Sequence, residues 1–220
     1  MPLPLVFEHD DFIVLDKPAG VSFHCEENEL GLAQLANQQF GTLWPVHRLD
    51  KLTSGLIIFA KSAQAAALFQ TLFASHQMNK YYLALAYGKP KKKQGMITGD
   101  MQKARSGSWM LMRTLENPAR TRFISQSLGD GLRGYLLRPS TGRTHQLRVM
   151  MKSLGTPILG DERYAGLRAD RGYLDAFGLQ FNWQGQAIEV MRLPNQGELF
   201  LVHQSQLTEW LPPWQQFALK

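Results

Sequence analysis

His47-Arg48-Leu49-Asp50-Lys51-Leu52-Thr53-Ser54-Gly55 runs directly into Leu56-Ile57-Ile58-Phe59-Ala60. One acid sits between two bases, polar turn residues follow, and the chain then becomes an apolar strand. A carboxylate exposed at a loop-to-strand junction beside cations is kept ionised and available for attack. Asp50 is therefore the first candidate for chemistry in this chain.

Upstream of this turn, Phe12-Ile13-Val14-Leu15 reads as a short buried strand that ends at the turn Asp16-Lys17-Pro18-Ala19-Gly20. Residues 31–40 have helical spacing in Leu32, Leu35, Ala36 and Gln39. Downstream, Ser62 is a fitting N-cap for a helix that carries Ala65, Leu68, Phe69, Leu72 and Phe73 on one face. Residues 80–88 alternate as a strand, with Tyr82, Ala84 and Ala86 on one face and Tyr81, Leu83, Leu85 and Tyr87 on the other. Two strands over 120–127 and 132–138 are joined by Gly129-Asp130-Gly131, and a helix is predicted over 143–154 from Leu147, Met150, Met151 and Leu154. Shorter strands fit 177–181, 188–192 and 199–202, ahead of an amphipathic segment from Ser205. The order β-α-β-α-β, then hairpins, a helix and more strands, predicts one mixed α/β (α+β) domain over residues 1–220.

Composition narrows the function class. At 220 residues with 44% hydrophobic and 19% charged positions, the chain has the makeup of a globular protein with a full core. No apolar run reaches the ~18 residues of a membrane span, and the acidic N-terminus does not read as a secretory signal. The single cysteine, Cys25, excludes an internal disulfide and suits a reducing cytoplasm; such a residue is usually small and buried. Six isolated histidines give no zinc-binding pair, so no metal is expected. The net charge of +6 is unevenly spread: residues 1–88 carry −3, residues 89–122 carry +7 and the remainder +2. The basic segment 89–122, read as hairpins and loops, interleaves Lys89, Lys91, Lys92, Lys93, Lys103 and Arg105 with Trp109 and methionines. Such a cluster can neutralise phosphates and stack on bases; it equally suits a solvated hairpin whose lysines protect its edge.

Gly129-Asp130-Gly131-Leu132-Arg133-Gly134 matches the dinucleotide fingerprint in letters only. That motif needs a helix after it to receive the pyrophosphate, whereas Tyr135-Leu136-Leu137 prefers a strand. Asp-Gly between two strand-like runs is a hairpin turn, and no nucleotide cofactor is expected.

Five segments share one order: Lys17-Pro18-Ala19-Gly20; His47 to Gly55; Lys80-Tyr81-Tyr82-Leu83-Ala84; Thr141-Gly142-Arg143-Thr144-His145-Gln146-Leu147-Arg148; and Pro157-Ile158-Leu159-Gly160-Asp161. Together they resemble the signature of the RluA-type pseudouridine synthases, from about residue 7 to about residue 194. The resemblance implies a mixed, largely antiparallel sheet with flanking helices around a central catalytic cleft. It implies isomerisation of uridine to pseudouridine within RNA, with no cofactor and no metal. Asp50 matches the family's catalytic aspartate, and Tyr82 the active-site tyrosine that packs against the uracil. Arg48 matches the residue that enters the stack as the target nucleotide leaves it. Arg143 matches the arginine that pairs with the aspartate, with Arg148 as its rival; Leu147 and Arg148 join the substrate-binding set. Histidine is common in the family where this chain has Met150 and Asp175. The small N-terminal RNA-binding domain of some members is not expected here, and the grip on RNA is expected to fall to 89–122, with Lys91, Lys92 and Lys93 as phosphate contacts.

The physical reading is compatible with that assignment. Chemistry on a base within folded RNA requires extrusion of the nucleotide, which costs ~a few kcal/mol. A planar cation such as Arg48 can fill the gap, an arginine pairing bidentately with Asp50 can hold it ionised, and a tyrosine offers uracil a flat face. Bland readings exist for each: a turn acid, ordinary strand packing, and for Arg148 a solvated helix face. His47 and His145 are expected only to orient loops, and Lys17 and Pro18 to shape the pocket. The expected partner is tRNA or large-subunit rRNA, bound by a cytoplasmic monomer away from any membrane. An RNA-binding or folding factor on the same scaffold is the alternative; a glycoside-type hydrolase would need a second acid, and none stands in a matching motif.

Overall fold

Residues 2–25 and 29–217 are described by the structure, a computed structural model. In chain order the first half forms strands Leu5–Glu8 (β1) and Phe12–Lys17 (β2), helix Leu32–Phe40 (α1), strands Trp44–Pro45 (β3) and Ser54–Ala60 (β4), helix Ala63–Ala74 (α2) and strand Asn79–Tyr87 (β5). Strands Gln94–Gly99 (β6), Met101–Lys103 (β7), Trp109–Leu111 (β8), Ala119–Gly129 (β9) and Leu132–Pro139 (β10) follow. Helix Gln146–Ser153 (α3), strands Leu174–Trp183 (β11) and Gln186–Met191 (β12), short helices Glu198–Val202 (α4) and Gln204–Thr208 (α5), and 3-10 turns at Arg105–Gly107, Glu162–Tyr164 and Gln215–Phe217 complete the described elements.

Ten of these strands share one sheet, ordered β1-β2-β4-β11-β5-β10-β9-β6, with β12 on β11 and β3 on β4. Among the described residues β4 and β11 make its one parallel pair. β7 and β8 form a separate two-stranded hairpin. Sheet and helices together give the mixed, mostly antiparallel α/β fold expected. β2 and β4 are buried along their whole length, as strands covered on both faces must be. Phe12, Val14, Leu56 and Ile58 pack with α2 through Phe69, while Ile13, Leu15, Ile57 and Phe59 pack with α1 through Leu32. β5 alternates as its sequence predicts: Tyr81, Leu83 and Leu85 join the cluster under α4 and α5, and Ala84 and Ala86 the cluster under α3.

Ser62 caps α2, its Oγ accepting the Ala65 N–H at 3.1 Å. The Gly129-Asp130-Gly131 turn is a hairpin turn between β9 and β10, all three residues having positive φ. Three expectations fail. The helix over 143–154 starts only at Gln146, because His145 sits in the left-handed region at φ 56 and breaks the helical path. The strand over 199–202 is a helical turn: Tyr173 and Asp170, remote in sequence, accept the backbone N–H groups of Leu199 and Glu198 at its N-terminus. Such tertiary capping decides a short apolar run that periodicity leaves open. Cys25 is exposed rather than buried. No helix among the described residues is long and apolar enough to cross a membrane.

Candidate active site

The Asp50 loop is pinned from both ends. Leu49 is buried in the α1 cluster and Leu52 packs on the α3 cluster, which leaves Arg48, Asp50 and Lys51 facing outward. Lys17, fully buried, donates its ammonium to the carbonyls of Pro18, Lys51 and Thr53 at 3.0, 3.3 and 2.6 Å. Burial lowers Lys17 to about 7, with Asp50 pulling the other way. The Gly20 N–H adds a bond to the Lys51 carbonyl, so the Lys-Pro-Ala-Gly turn acts as a bracket for the loop. On the other side His47 Nε2 accepts the Ile58 N–H at 3.0 Å. Burial, reinforced by Lys80, lowers His47 to about 3 and keeps it neutral for that role.

Register carries the loop to its opposite wall. Gly55, Ala176, Tyr82 and Leu137 lie side by side across β4, β11, β5 and β10. At ~4.8 Å per strand, Tyr82 stands about 10 Å across the sheet from Gly55. Asp50 and Tyr82 line one cleft of about 510 Å³, with His47, Phe73, Lys80 and residues 139–148 along its walls. Tyr82 is raised by burial first and by the Asp50 charge second, so its hydroxyl stays protonated. Lys80, lowered by burial, holds its Nζ 5.3 Å from the Phe73 ring centroid. A second cavity of about 550 Å³ shares Arg48, Asp50, His145 and Arg148 with the first and adds Lys51, Arg163 and Arg171. Arg48 is exposed and lines both.

The arginine beside Asp50 is Arg148, correcting the expected Arg143. Arg148 Nη1 lies 3.5 Å from Asp50 Oδ2, while Nε and Nη2 donate to both oxygens of Asp161 at 2.8 and 2.7 Å. Its surface is 7% exposed, which also removes the solvated-face reading. Burial alone would lower Arg148, but the Asp161 hydrogen bonds and the two carboxylate charges raise it and hold it charged. Arg143 belongs to the turn before α3, because Gln146 fastens that turn. Its Oε1 accepts from Thr141 Oγ1 and the Arg143 N–H, and its Nε2 donates to the Arg120 carbonyl and Thr121 Oγ1. Arg143 therefore lies exposed on the cleft rim, donating to Asn117 Oδ1. Leu147 is buried in the cleft wall.

Sequence reasoning gave no role to Asp161 or Lys80 and expected His145 only to orient a loop. The Gly160-Asp161 segment stood among the motifs without a task; its task is to hold Arg148. The three lysines lie away from the cleft. Lys91 donates to the Ser153 carbonyl, and its N–H to that of Leu154, at the end of α3 opposite His145; Lys92 and Lys93 are exposed. Among the described residues no three His, Cys, Asp or Glu side chains gather as metal ligands.

Over residues 11–153 the sequence matches the RNA pseudouridylate synthase family. The chain belongs to that family. That family is one of isomerases acting on RNA. An uncharacterized RNA pseudouridine synthase of Haemophilus influenzae is 50% identical over 205 residues, covering 91% of this chain and 92% of that protein. The ribosomal large subunit pseudouridine synthase C of Rickettsia bellii is 33% identical over 73% of this chain, which spans 56% of that longer protein. The human RNA pseudouridylate synthase domain containing 1 structure superposes with a TM-score of 0.73 at 28% identity, covering 88% of this chain and 83% of that one.

Proposed function

We propose that this pseudouridine synthase isomerises specific uridines in tRNA and/or large-subunit rRNA, with Asp50 acting on a nucleotide flipped out of the RNA. The observation that carries the reading is Asp50 in the cleft, with the Asp161-anchored Arg148 beside it and Tyr82 lining the same cleft. Isomerisation breaks the bond from ribose C1′ to uracil N1 and forms one from C1′ to C5. The C5 proton leaves and N1 ends protonated, so no atom is gained or lost and no cofactor is required. A carboxylate facing Arg148 can attack or act as a base; Tyr82 gives the detached uracil a flat face on which to turn.

Arg48, exposed between the two cavities, has the reach and planarity to take the place of the extruded base. Arg143 serves on the rim as a substrate contact, Leu147 and Arg148 line the base pocket, and Lys91, Lys92 and Lys93 meet RNA phosphates farther out. The catalytic unit is read as one domain over residues 1–220, with 89–122 as its basic region, working as a cytoplasmic monomer. Mapping pseudouridines in tRNA and rRNA from cells with and without this gene tests the reading. Loss of one or a few sites, restored by the gene, is expected; an unchanged map in both RNA classes would contradict it.

A further inference from the structure

His145 lines the cleft beside Asp50, and its hydrogen bonds fix which ring nitrogen carries the proton. Its Nδ1 lies 2.8 Å from the Tyr164 hydroxyl, and the same hydroxyl oxygen accepts the Trp109 backbone N–H at 2.9 Å. Its Nε2 lies 3.9 Å from Asp50 Oδ2. A phenol has a single proton. With its oxygen already accepting from Trp109, that proton is directed at Nδ1, and the neutral ring then carries its own hydrogen on Nε2. The opposite tautomer would point a bare Nε2 lone pair at the carboxylate. Tyr164 is raised by burial, which keeps the phenol proton in place, and burial lowers His145, which keeps the ring neutral.

We infer that His145 is a positioning residue for the isomerisation: its Nε2–H, set by Tyr164 and the backbone of β8, steadies Asp50 Oδ2 so that the other carboxylate oxygen meets the nucleotide. Arg148 cannot do this alone, because two of its three nitrogens are committed to Asp161 and only Nη1 turns to Asp50. Both donors stand on Oδ2, just beyond hydrogen-bond range, a spacing that commonly tightens when substrate is bound. The arrangement also wires the β7–β8 hairpin to the carboxylate. That hairpin carries Lys103 with its Nζ 5.9 Å from the Trp109 ring centroid and leads through Arg105, so the segment expected to grip RNA is three groups away from Asp50.

The inference rests on the Asp50 reading, and the experiment separates the two. The probe is bulk RNA, labelled with tritium at uridine carbon 5, from cells lacking the gene; tritium release is followed in single turnover at increasing enzyme. Glutamine places an amide N–H near the position of Nε2, whereas asparagine places its amide near Nδ1. His145→Gln is expected within about threefold of the wild-type rate. His145→Asn, which retains a partner for Tyr164, is expected to lose about tenfold or more, the range of a hydrogen bond to a charged group. The half-saturating enzyme concentration should stay unchanged in both. Tyr164→Phe should slow the wild type about threefold or more and leave His145→Gln unaffected.

A merely structural role predicts the reverse order, since asparagine tolerates the left-handed backbone of position 145 better than glutamine. Asparagine matching or exceeding glutamine, or Tyr164→Phe at the wild-type rate, would overturn the inference. If the glutamine variant melts early, Tyr164→Phe decides alone. Turnover by an Asp50→Asn control would instead overturn the Asp50 reading.

Discussion

Asp50 reaches its environment through residues from three separate motifs: Lys17 fixes the carbonyls of its loop, Arg148 faces its Oδ2, and Tyr82 shares its cleft. Tyr82 has a hydroxyl held protonated by burial and by the neighbouring carboxylate, so the ring rather than an ionised oxygen is what it offers. Tyr82→Phe is therefore expected to keep the single-turnover rate within about tenfold. Tyr82→Leu should lose more, up to about a hundredfold, because stacking on an aromatic contributes ~1–3 kcal/mol per base. Wild-type rates in both variants would remove Tyr82 from the site. Asp50 was legible because one contiguous motif carries it. The choice of arginine was not: Arg143 and Arg148 share a predicted helix, and only the left-handed backbone at His145, with Gln146 fastening the turn, assigns one to the rim and the other to the carboxylate. Nothing local in the sequence announces that break.

β4 and β11 approach each other where the Asp50 motif ends. Gly55 has φ +106, and a Cβ there would lie 2.3 Å from the Ala176 carbonyl oxygen and 2.6 Å from its nitrogen. Its neighbour Ser54 donates to Asp175 Oδ2 at 2.5 Å, and Arg192 reaches both Asp175 and Asp16. The position where the family often has histidine thus belongs to a buried charge network behind the loop. Gly55→Ala should cost about 3 kcal/mol or more, combining backbone strain with a steric overlap that the sheet cannot relieve. Thermal melting checks this; a midpoint equal to wild type would show that β4 and β11 can separate at no cost. At this scale β5 was readable from alternation, β2 and β4 from their apolar runs, and α2 from its cap and from Ala65 and Phe69, whereas Leu68, expected on the same face, is exposed. α4 was not, because the groups that cap it, Asp170 and Tyr173, lie some thirty residues upstream of the run.

Across the whole chain the excess charge is concentrated: residues 89–122 carry +7, against −3 in residues 1–88 and +2 in the remainder, for a net +6. The structure divides that segment between a sheet edge, β6, and the separate β7–β8 hairpin, which sequence could describe only as hairpins and loops. Exchanging Lys91, Lys92 and Lys93 together for glutamine should weaken RNA binding and flatten its salt dependence by up to ~0.7 per lost contact. The rate at saturating RNA should stay near normal, since none of the three lines either cavity; an unchanged salt titration would make the segment a solvated edge only. The central claim, uridine isomerisation in RNA by way of Asp50, is tested most directly with purified wild type and Asp50→Asn on tritium-labelled RNA from cells lacking the gene, followed by nucleoside analysis. Wild type is predicted to release tritium, form pseudouridine and liberate no free uracil, while the folded Asp50→Asn protein binds RNA and forms none. Appreciable pseudouridine from Asp50→Asn, or free uracil in place of pseudouridine from wild type, would contradict the account.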